Sequence, residues 1–197
     1  MSSQKLIPWG GWASILGGVL WIAGVILTAS RPRGCIGDEC AFRPMREGGL
    51  LDAGLFLLAV LLLALGIAGL VIRAQNSGRL GRLGRAGLIA GATGITVLIV
   101  SSLVQLLFFG GDFPLMPYLV IPGGLAVVVG FLLLGLAILQ ASVLPRWAAG
   151  LLIFGALALL GCNDQTAQVL LAIPFGVAWI AVGYALWFGL GEIISTK

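Results

Sequence analysis

The stretch that decides the fold runs from Leu50 to Ile72 and reads LLDAGLFLLAVLLLALGIAGLVI. Its one charged residue, Asp52, stands near the beginning, and the rest is apolar without a break. A helix needs about 20 such residues to cross a hydrocarbon core of roughly 30 Å. The strands of a membrane barrel would instead alternate apolar and polar residues. The stretch therefore predicts a transmembrane α-helix.

Five more apolar segments accompany it, and none has a charged residue in its middle. Of the 197 residues, 60% are hydrophobic and 9% are charged, whereas soluble domains carry about 25% charged residues. The 31 glycines are typical of membrane helices that pack closely. We expect an all-α integral membrane bundle of about six transmembrane helices, forming one domain over residues 1–197. The predicted spans are Trp12–Ala29, Leu50–Ile72, Ala86–Phe109, Tyr118–Leu139, Pro145–Cys162 and Val169–Leu190.

The first span has an alternative interpretation as a cleaved signal peptide. Lys5 precedes the apolar run, and Thr28, Ala29 and Ser30 supply the small residues that a cleavage site needs. We favour a retained helix, with cleavage as the alternative.

Positive charges flank the spans and predict the orientation of the chain. Seven lie on the side that holds both termini, and four lie in the first loop on the other side. Because short loops rich in Lys and Arg stay in the cytoplasm, we expect cytoplasmic termini and an extracytoplasmic first loop. The seven are Lys5, Arg73, Arg79, Arg82, Arg85, Arg146 and Lys197, and the four are Arg31, Arg33, Arg43 and Arg46.

The composition also excludes some classes of function. The net charge is +4, but the basic residues flank apolar segments and form no separate basic domain, so we expect no nucleic-acid partner. The chain has no histidine, which removes the commonest metal ligand and the usual general base near neutral pH. We predict no metal site and no catalytic residue. The cofactor is left unknown, because a quinone or a pigment held without histidine would leave no recognisable signature.

The first loop carries a candidate disulfide between Cys35 and Cys40. Gly34 and Gly37 permit a tight ring, and the predicted location is oxidising, so a structural disulfide is favoured. Cys162 falls near the same side as an odd third thiol. Alternatives are unpaired or metal-linked cysteines and a quinone-linked redox role, although redox relays normally use a second, closely spaced pair.

Polar residues near the outer ends of the spans form a second candidate site. Ser101 and Ser102 are helical neighbours of Gln105 by their spacing, and a face shared with Asp52 would make an outward-facing pocket for a small ligand or cation. The alternative, which we favour, is hydrogen bonding between helices. The predicted pocket residues are Asp52, Ser101, Ser102, Gln105 and Gln168.

The second loop, GRLGRLGRAG over residues 78–87, repeats arginine every third residue without an acidic residue. Such a loop is typical of a topological anchor, and it could also hold anionic lipid headgroups or dock a cytoplasmic partner. The predicted contact residues are Arg79, Arg82, Arg85 and Arg146.

Short segments of similar sequence indicate three helical hairpins related by duplication. Ile121–Ala126 resembles Ile173–Ala178, and Trp12-Ala13 after a proline resembles Trp147-Ala148. Chance similarity among glycine-rich segments is the alternative.

The segments over residues 135–152, with Leu-Pro-Arg-Trp at 144–147, and over residues 79–89 carry a family resemblance. They resemble the matching helix-loop-helix and preceding loop of bacterial multi-span membrane proteins of no known activity. The resemblance covers about a third of the chain, leaves out the Cys35–Cys40 loop, and implies the architecture without an activity. We expect a non-catalytic accessory or scaffold subunit of a larger membrane complex. Binding or transport through the outer pocket is the alternative, and a thiol redox protein is third.

Overall fold

The computed structural model describes residues 3–42, 44, 46, 49–76, 81–108 and 115–188. Within these ranges the chain is helical and contains no β-strand, so the predicted all-α class is confirmed. Short 3-10 segments cover Gly37–Ala41, Leu159–Gly161 and Ala167–Ala172. The six α-helices are α1 (Ser3–Ala29), α2 (Leu50–Asn76), α3 (Arg82–Phe108), α4 (Met116–Ala141), α5 (Arg146–Ala158) and α6 (Ile173–Phe188).

Five of the six predicted spans are long and apolar enough to cross a membrane. The exception is the fifth, where the 13-residue α5 continues only through a 3-residue 3-10 turn. The prediction began the first helix at Trp12, after the helix-breaking Pro8. The helix in fact begins at Ser3 and continues through Pro8, which lies beyond the first turn and leaves the helix without one backbone hydrogen bond. These helices define a multi-pass membrane bundle.

The helices have a definite order of packing. α1 lies between α2 and α6, α5 lies between α4 and α6, and α3 packs on α4. The apolar span that contains α6 is 61% buried and the α3 span is 22% buried, so α6 is central and α3 lies at the edge. We call the end of the bundle with Cys35 and Cys40 the disulfide side, and the end where α3 and α5 begin the arginine side.

Glycines form the closest contacts between helices. A Cβ atom on Gly10 of α1 would lie 2.8 Å from the Cα atom of Gly69 on α2, and one on Gly87 of α3 would lie 2.7 Å from the backbone nitrogen of Leu134 on α4. We call such a row of glycine contacts between two helices a seam. A seam allows two helix backbones to approach closely in a membrane, where no hydrophobic effect drives helices together. The series Gly10, Ser14, Gly17 in α1 has the same spacing as Gly87, Gly91, Gly94 in α3. The predicted hairpin repeat remains a prediction, and this shared spacing agrees with it.

Aromatic rings fill the centre of the bundle. Trp179 of α6 is fully buried, and its ring lies 5.6 Å from that of Phe131 on α4. Phe175 joins Phe131 to Trp21 of α1 through edge contacts of 5.1 and 5.2 Å. The Trp21 indole donates a hydrogen bond of 2.9 Å to the carbonyl oxygen of Ala172, the last residue of the 3-10 segment that precedes α6. Edge-to-face contacts of this kind stabilise the packing beyond the area they bury. α1 is therefore part of the core.

Candidate functional site

The predicted disulfide between Cys35 and Cys40 is present, with Cα atoms 4.9 Å apart. Gly37 has a φ of +59°, a left-handed conformation that favours glycine, and it begins the 3-10 turn that brings the two cysteines together. Cys35 is 2% exposed. The ring is therefore anchored at one cysteine and open to solvent at the other.

Arg46 joins the disulfide loop to the loop between α5 and α6. Its guanidinium donates hydrogen bonds to four backbone carbonyl oxygens, and its backbone N–H donates to Oε1 of Gln165 at 2.6 Å. The backbone N–H of Gly34 donates to the Gln165 carbonyl at 2.9 Å. The four carbonyls belong to Arg31, Pro32, Asp164 and Thr166. We call this set of hydrogen bonds the clamp. The sequence did not predict it, because Arg46 and Gln165 lie 119 residues apart and no local pattern connects them.

Asp52, a predicted pocket residue, is buried and paired within the protein. Its carboxylate lies 3.0 Å from the Arg31 guanidinium, and the residue is 5% exposed. A buried carboxylate is costly unless it is paired and hydrogen-bonded. The pair therefore accounts for how Asp52 is tolerated at the start of α2.

The other predicted pocket residues that the structure describes bond locally. The hydroxyl groups of Ser101 and Ser102 donate to carbonyl oxygens one turn earlier in α3, at 2.6 and 2.9 Å. The backbone N–H of Gln168 donates to the hydroxyl of Thr166 at 3.2 Å. The side chain of Gln105 lies outside the described part of the structure. Among the described groups, no hydrogen bond joins one predicted pocket residue to another, so the pocket remains a prediction.

Cys162 is a free thiol beside the clamp. Burial, with a smaller contribution from the charge of Asp164, raises the pKa of this thiol to about 11. Because the thiolate is the reactive species, Cys162 is chemically quiet near neutral pH.

On the arginine side, Arg82 and Arg85 lie exposed in the first turn of α3, and Arg146 lies exposed at the start of α5. Arg79 is outside the described residues. Arg73 instead donates hydrogen bonds of 3.4 Å to the carbonyl oxygens of Ala185 and Leu186, which ties α2 to α6. Exposed arginines thus stand at the start of each of these two helices.

An open groove of about 330 Å³ lies between the start of α3 and the end of α4. α4 ends at Ser142, whose backbone is left-handed with a φ of +51° and whose N–H donates to the carbonyl of Ile138. Sequence reasoning missed this groove because no motif marks it. Its lining residues are Gly81, Leu83, Ala137, Gln140, Ala141 and Ser142.

α3 presents a row of exposed residues on the side away from α4. The hydroxyl of Thr96 donates to the Ala92 carbonyl at 2.8 Å, whereas the described part of the chain offers no hydrogen-bond partner to the hydroxyl of Thr93. A 27-residue helix is about 40 Å long, and Thr93 lies about 16 Å along it. The exposed row is Ile89, Thr93, Thr96, Val100 and Leu103.

Taken together, these features define an all-α, multi-pass membrane bundle. On its disulfide side, hydrogen bonds of Arg46 join the loop that contains Cys35 and Cys40 to the loop between α5 and α6. In the described ranges, no group of three or more Cys, Asp or Glu side chains is placed to hold a metal ion. Comparison with protein-family models, curated proteins and solved structures finds no match.

Proposed function

We propose that the protein is a non-catalytic, polytopic membrane protein that serves as an accessory or scaffold subunit of a larger membrane complex. The observation that carries the proposal is the outward face of α3. This helix packs on α4 and is the least buried of the long spans. Its other side is free to contact a second membrane protein.

The residue types on that face favour a helix as the neighbour. Thr93 and Thr96 lie near the middle of α3, among the apolar residues of the exposed row. Ser and Thr side chains commonly hydrogen-bond across membrane helices, and a polar group facing hydrocarbon is disfavoured. A neighbouring helix would offer the Thr93 hydroxyl an acceptor that lipid tails lack.

The polar groups on the disulfide side support a non-catalytic role. Asp52 is paired with Arg31, the Arg46 guanidinium donates to four carbonyl oxygens, and the hydroxyls of Ser101 and Ser102 bond within their own helix. A ligand in the predicted outer pocket would have to displace these bonds. Ligand or ion binding therefore stays the alternative, carried only by the burial of Asp52.

A thiol redox role is the third candidate. It would need electrons to pass between the Cys35–Cys40 disulfide and a second thiol. Cys162 is on the same side, but burial raises its pKa to about 11, which disfavours the thiolate that exchange requires.

We also propose that the disulfide side is extracytoplasmic and the arginine side cytoplasmic. The excess of arginine and lysine in the loops on the arginine side supports this orientation, and so does a disulfide that persists in an oxidising compartment.

The test is purification of the full-length protein from its native membrane in a mild detergent, followed by sizing and mass spectrometry of co-migrating proteins. The proposal expects partner subunits in fixed stoichiometry. Thr96→Trp places a bulky ring on the outward face of α3, so this substitution should release the partner subunits. Ala64→Trp is the matched control, because Ala64 is exposed on α2.

A chain that runs alone or as a homo-oligomer would contradict the proposal. So would a complex that loses its partners equally in the Ala64→Trp control, because the α3 face would then have no special role. A small molecule retained by an isolated chain would favour the pocket alternative.

A further inference from the structure

We propose that the open face of α5 contacts lipid directly and thins the bilayer beside it by about 6 Å. The partner of this face is therefore a lipid layer with a thinner hydrocarbon core than the other helices require. This inference does not rest on the proposed subunit role.

One face of α5 is open along its whole length. Trp147, Gly150, Phe154 and Leu157 follow one another at spacings of three and four residues, which places them on one side of a helix. All four are exposed, and so is Leu160 in the 3-10 turn that follows. Because α4 and α6 pack on other sides of α5, this face meets whatever surrounds the bundle.

The residue types on the open face favour lipid over another helix. The face has no hydroxyl or amide side chain, in contrast to the outer face of α3 with Thr93 and Thr96. Phe154 and Leu157 are bulky and apolar, and they are 59% and 47% exposed. Such side chains can pack against lipid tails without leaving a polar group unsatisfied.

Aromatic rings mark the level of the headgroups on the arginine side. The ring of Trp147, at the start of α5, lies 6.4 Å from the ring of Tyr184 on α6, and both residues are about half-exposed. Trp and Tyr are enriched where the hydrocarbon core meets the headgroups. The exposed Arg146 precedes Trp147 directly, so the hydrocarbon core begins close to Trp147.

Polar groups end the apolar run on the disulfide side. Cys162 is followed by four polar residues over 163–166, and Asp164 is exposed. The clamp holds this loop in place, because Arg46 donates to the carbonyl oxygens of Asp164 and Thr166. Charged groups at membrane depth are costly, so the loop lies at the level of the headgroups or of water.

The apolar length between these two levels is short. Trp147 to Gly161 comprises most of the 13-residue α5 and the 3-residue 3-10 turn, and it measures about 24 Å at about 1.5 and 2.0 Å per residue. A hydrocarbon core is about 30 Å thick. The shortfall is local, because the apolar span of α2 has 22 residues and measures about 33 Å.

The shortfall of about 6 Å falls mainly on the disulfide side. A helix that is too short for the core is accommodated by thinning of the bilayer or by side chains that extend to the headgroups. Arg146 is long enough to extend in this way, whereas the side chains of Asn163 and Asp164 are short. The lipid must therefore come to the loop.

A spin label at Leu160→Cys measures the thinning directly. The background substitution Cys162→Ser removes the free thiol, and Cys35 and Cys40 remain bonded to each other. The full-length protein is placed in dioleoyl phosphatidylcholine nanodiscs. The depth of the label is read from its relative accessibility to oxygen and to a water-soluble nickel complex.

The expected depths follow from the helix lengths. Leu160 lies about 20 Å from Trp147 along the helix, so a thinned core places its label about 4 Å below the headgroups, and an unthinned core about 10 Å below. Leu58→Cys is the matched control, because Leu58 is exposed on α2 and lies about 9 Å from Asp52 along that helix.

We expect the label at Leu160 to be about 5 Å shallower than the label at Leu58. Equal depths would overturn the proposal. A label at Leu160 that neither oxygen nor nickel reaches would overturn it as well, because a protein partner would then cover the open face.

A second pair of variants answers the same question without labels. Asp164→Leu lengthens the apolar run and keeps the carbonyl oxygen to which Arg46 donates. Asp38→Leu, the matched control, removes an exposed carboxylate in the 3-10 turn of the disulfide loop. Each variant is compared with the parent protein by thermal unfolding in a thin bilayer of dimyristoleoyl phosphatidylcholine and in a thick bilayer of dieicosenoyl phosphatidylcholine.

Asp164→Leu should shift the melting temperature upward in the thick bilayer relative to its shift in the thin one, because thinning costs more as the mismatch grows. Asp38→Leu should shift the melting temperature equally in both bilayers. Equal responses of the two variants to bilayer thickness would overturn the proposal.

Discussion

The seam between α3 and α4 can be tested by a single methyl group. A Cβ atom on Gly87 would lie 2.7 Å from the backbone nitrogen of Leu134 and 2.8 Å from the carbonyl oxygen of Gly130. Both are backbone atoms of α4, so no side chain can rotate away to make room. Gly87→Ala must therefore push the two helices apart by roughly 0.7 Å to reach an ordinary contact of 3.4 Å.

The cost of that displacement follows from packing. A gap of 0.5–1 Å forfeits about a quarter to a half of each affected dispersion contact, and overpacked sites typically lose about 1–3 kcal/mol. Alanine regains at most about 1 kcal/mol of helix propensity. We therefore expect Gly87→Ala to lower the free energy of unfolding by about 1–2 kcal/mol, equivalent to a melting temperature lower by about 2–8 °C.

The assay is thermal unfolding in one detergent or nanodisc composition, monitored by the loss of helical circular dichroism. Gly150→Ala is the matched control, because a Cβ atom at Gly150 on α5 would meet no atom within 4 Å. It should leave the melting temperature unchanged or slightly raised. Equal melting temperatures for the two variants would refute the close-packed seam.

Three further predictions concern the disulfide side. The Cys162 thiol has a pKa of about 11 against an ordinary 9.0. At pH 8 it should react with maleimide about 10-fold more slowly than an unperturbed thiol, because its much smaller thiolate fraction is partly offset by the higher nucleophilicity of that thiolate. The rate should increase as the pH rises toward 11, and an ordinary rate at pH 8 would contradict the burial of the thiol. Asp52→Asn should destabilise the fold by about 1–3 kcal/mol because it removes the charge of the buried member of the Arg31–Asp52 pair. A double-mutant cycle with Arg31→Gln should show coupling, and additive effects would argue against the pair. Arg46→Lys should increase hydrogen exchange in residues 163–167, because an ammonium cannot replace a guanidinium that bonds to four carbonyls; unchanged protection would show that the clamp is dispensable.

Spans were readable from the sequence because a membrane sets their length and composition. Leu50–Ile72 lies within the observed α2, and α3 differs from its prediction mainly at its start, at Arg82 instead of Ala86. The fifth span ends earlier as an α-helix than predicted, at Ala158, because a short apolar run before Cys162 does not reveal where an α-helix tightens into a 3-10 turn.

Polar pairs between residues that are distant in the sequence could not be predicted in the same way. The Cys35–Cys40 bond was predictable because its partners are five residues apart. The same loop contains Arg31, which was interpreted only as an orientation signal although it pairs with Asp52. Which carboxylate or carbonyl an arginine meets depends on how the helices pack, and hydropathy carries no information about that packing.

The two faces of α3 lead to a last prediction about the strength of the proposed assembly. The inner face packs through Gly87 and Gly94, where backbones come into contact with α4. The outer face has side chains instead, so a partner helix must remain farther away and gain less dispersion energy. The hydrogen bond available to Thr93 adds only about 0.6 kcal/mol on average in membrane proteins. The contact with a partner should therefore be weaker than the fold. We expect a graded series of detergents to release partner subunits while the helical circular dichroism of the chain stays intact. Simultaneous loss of partners and helicity would mean that the chain depends on its complex to fold.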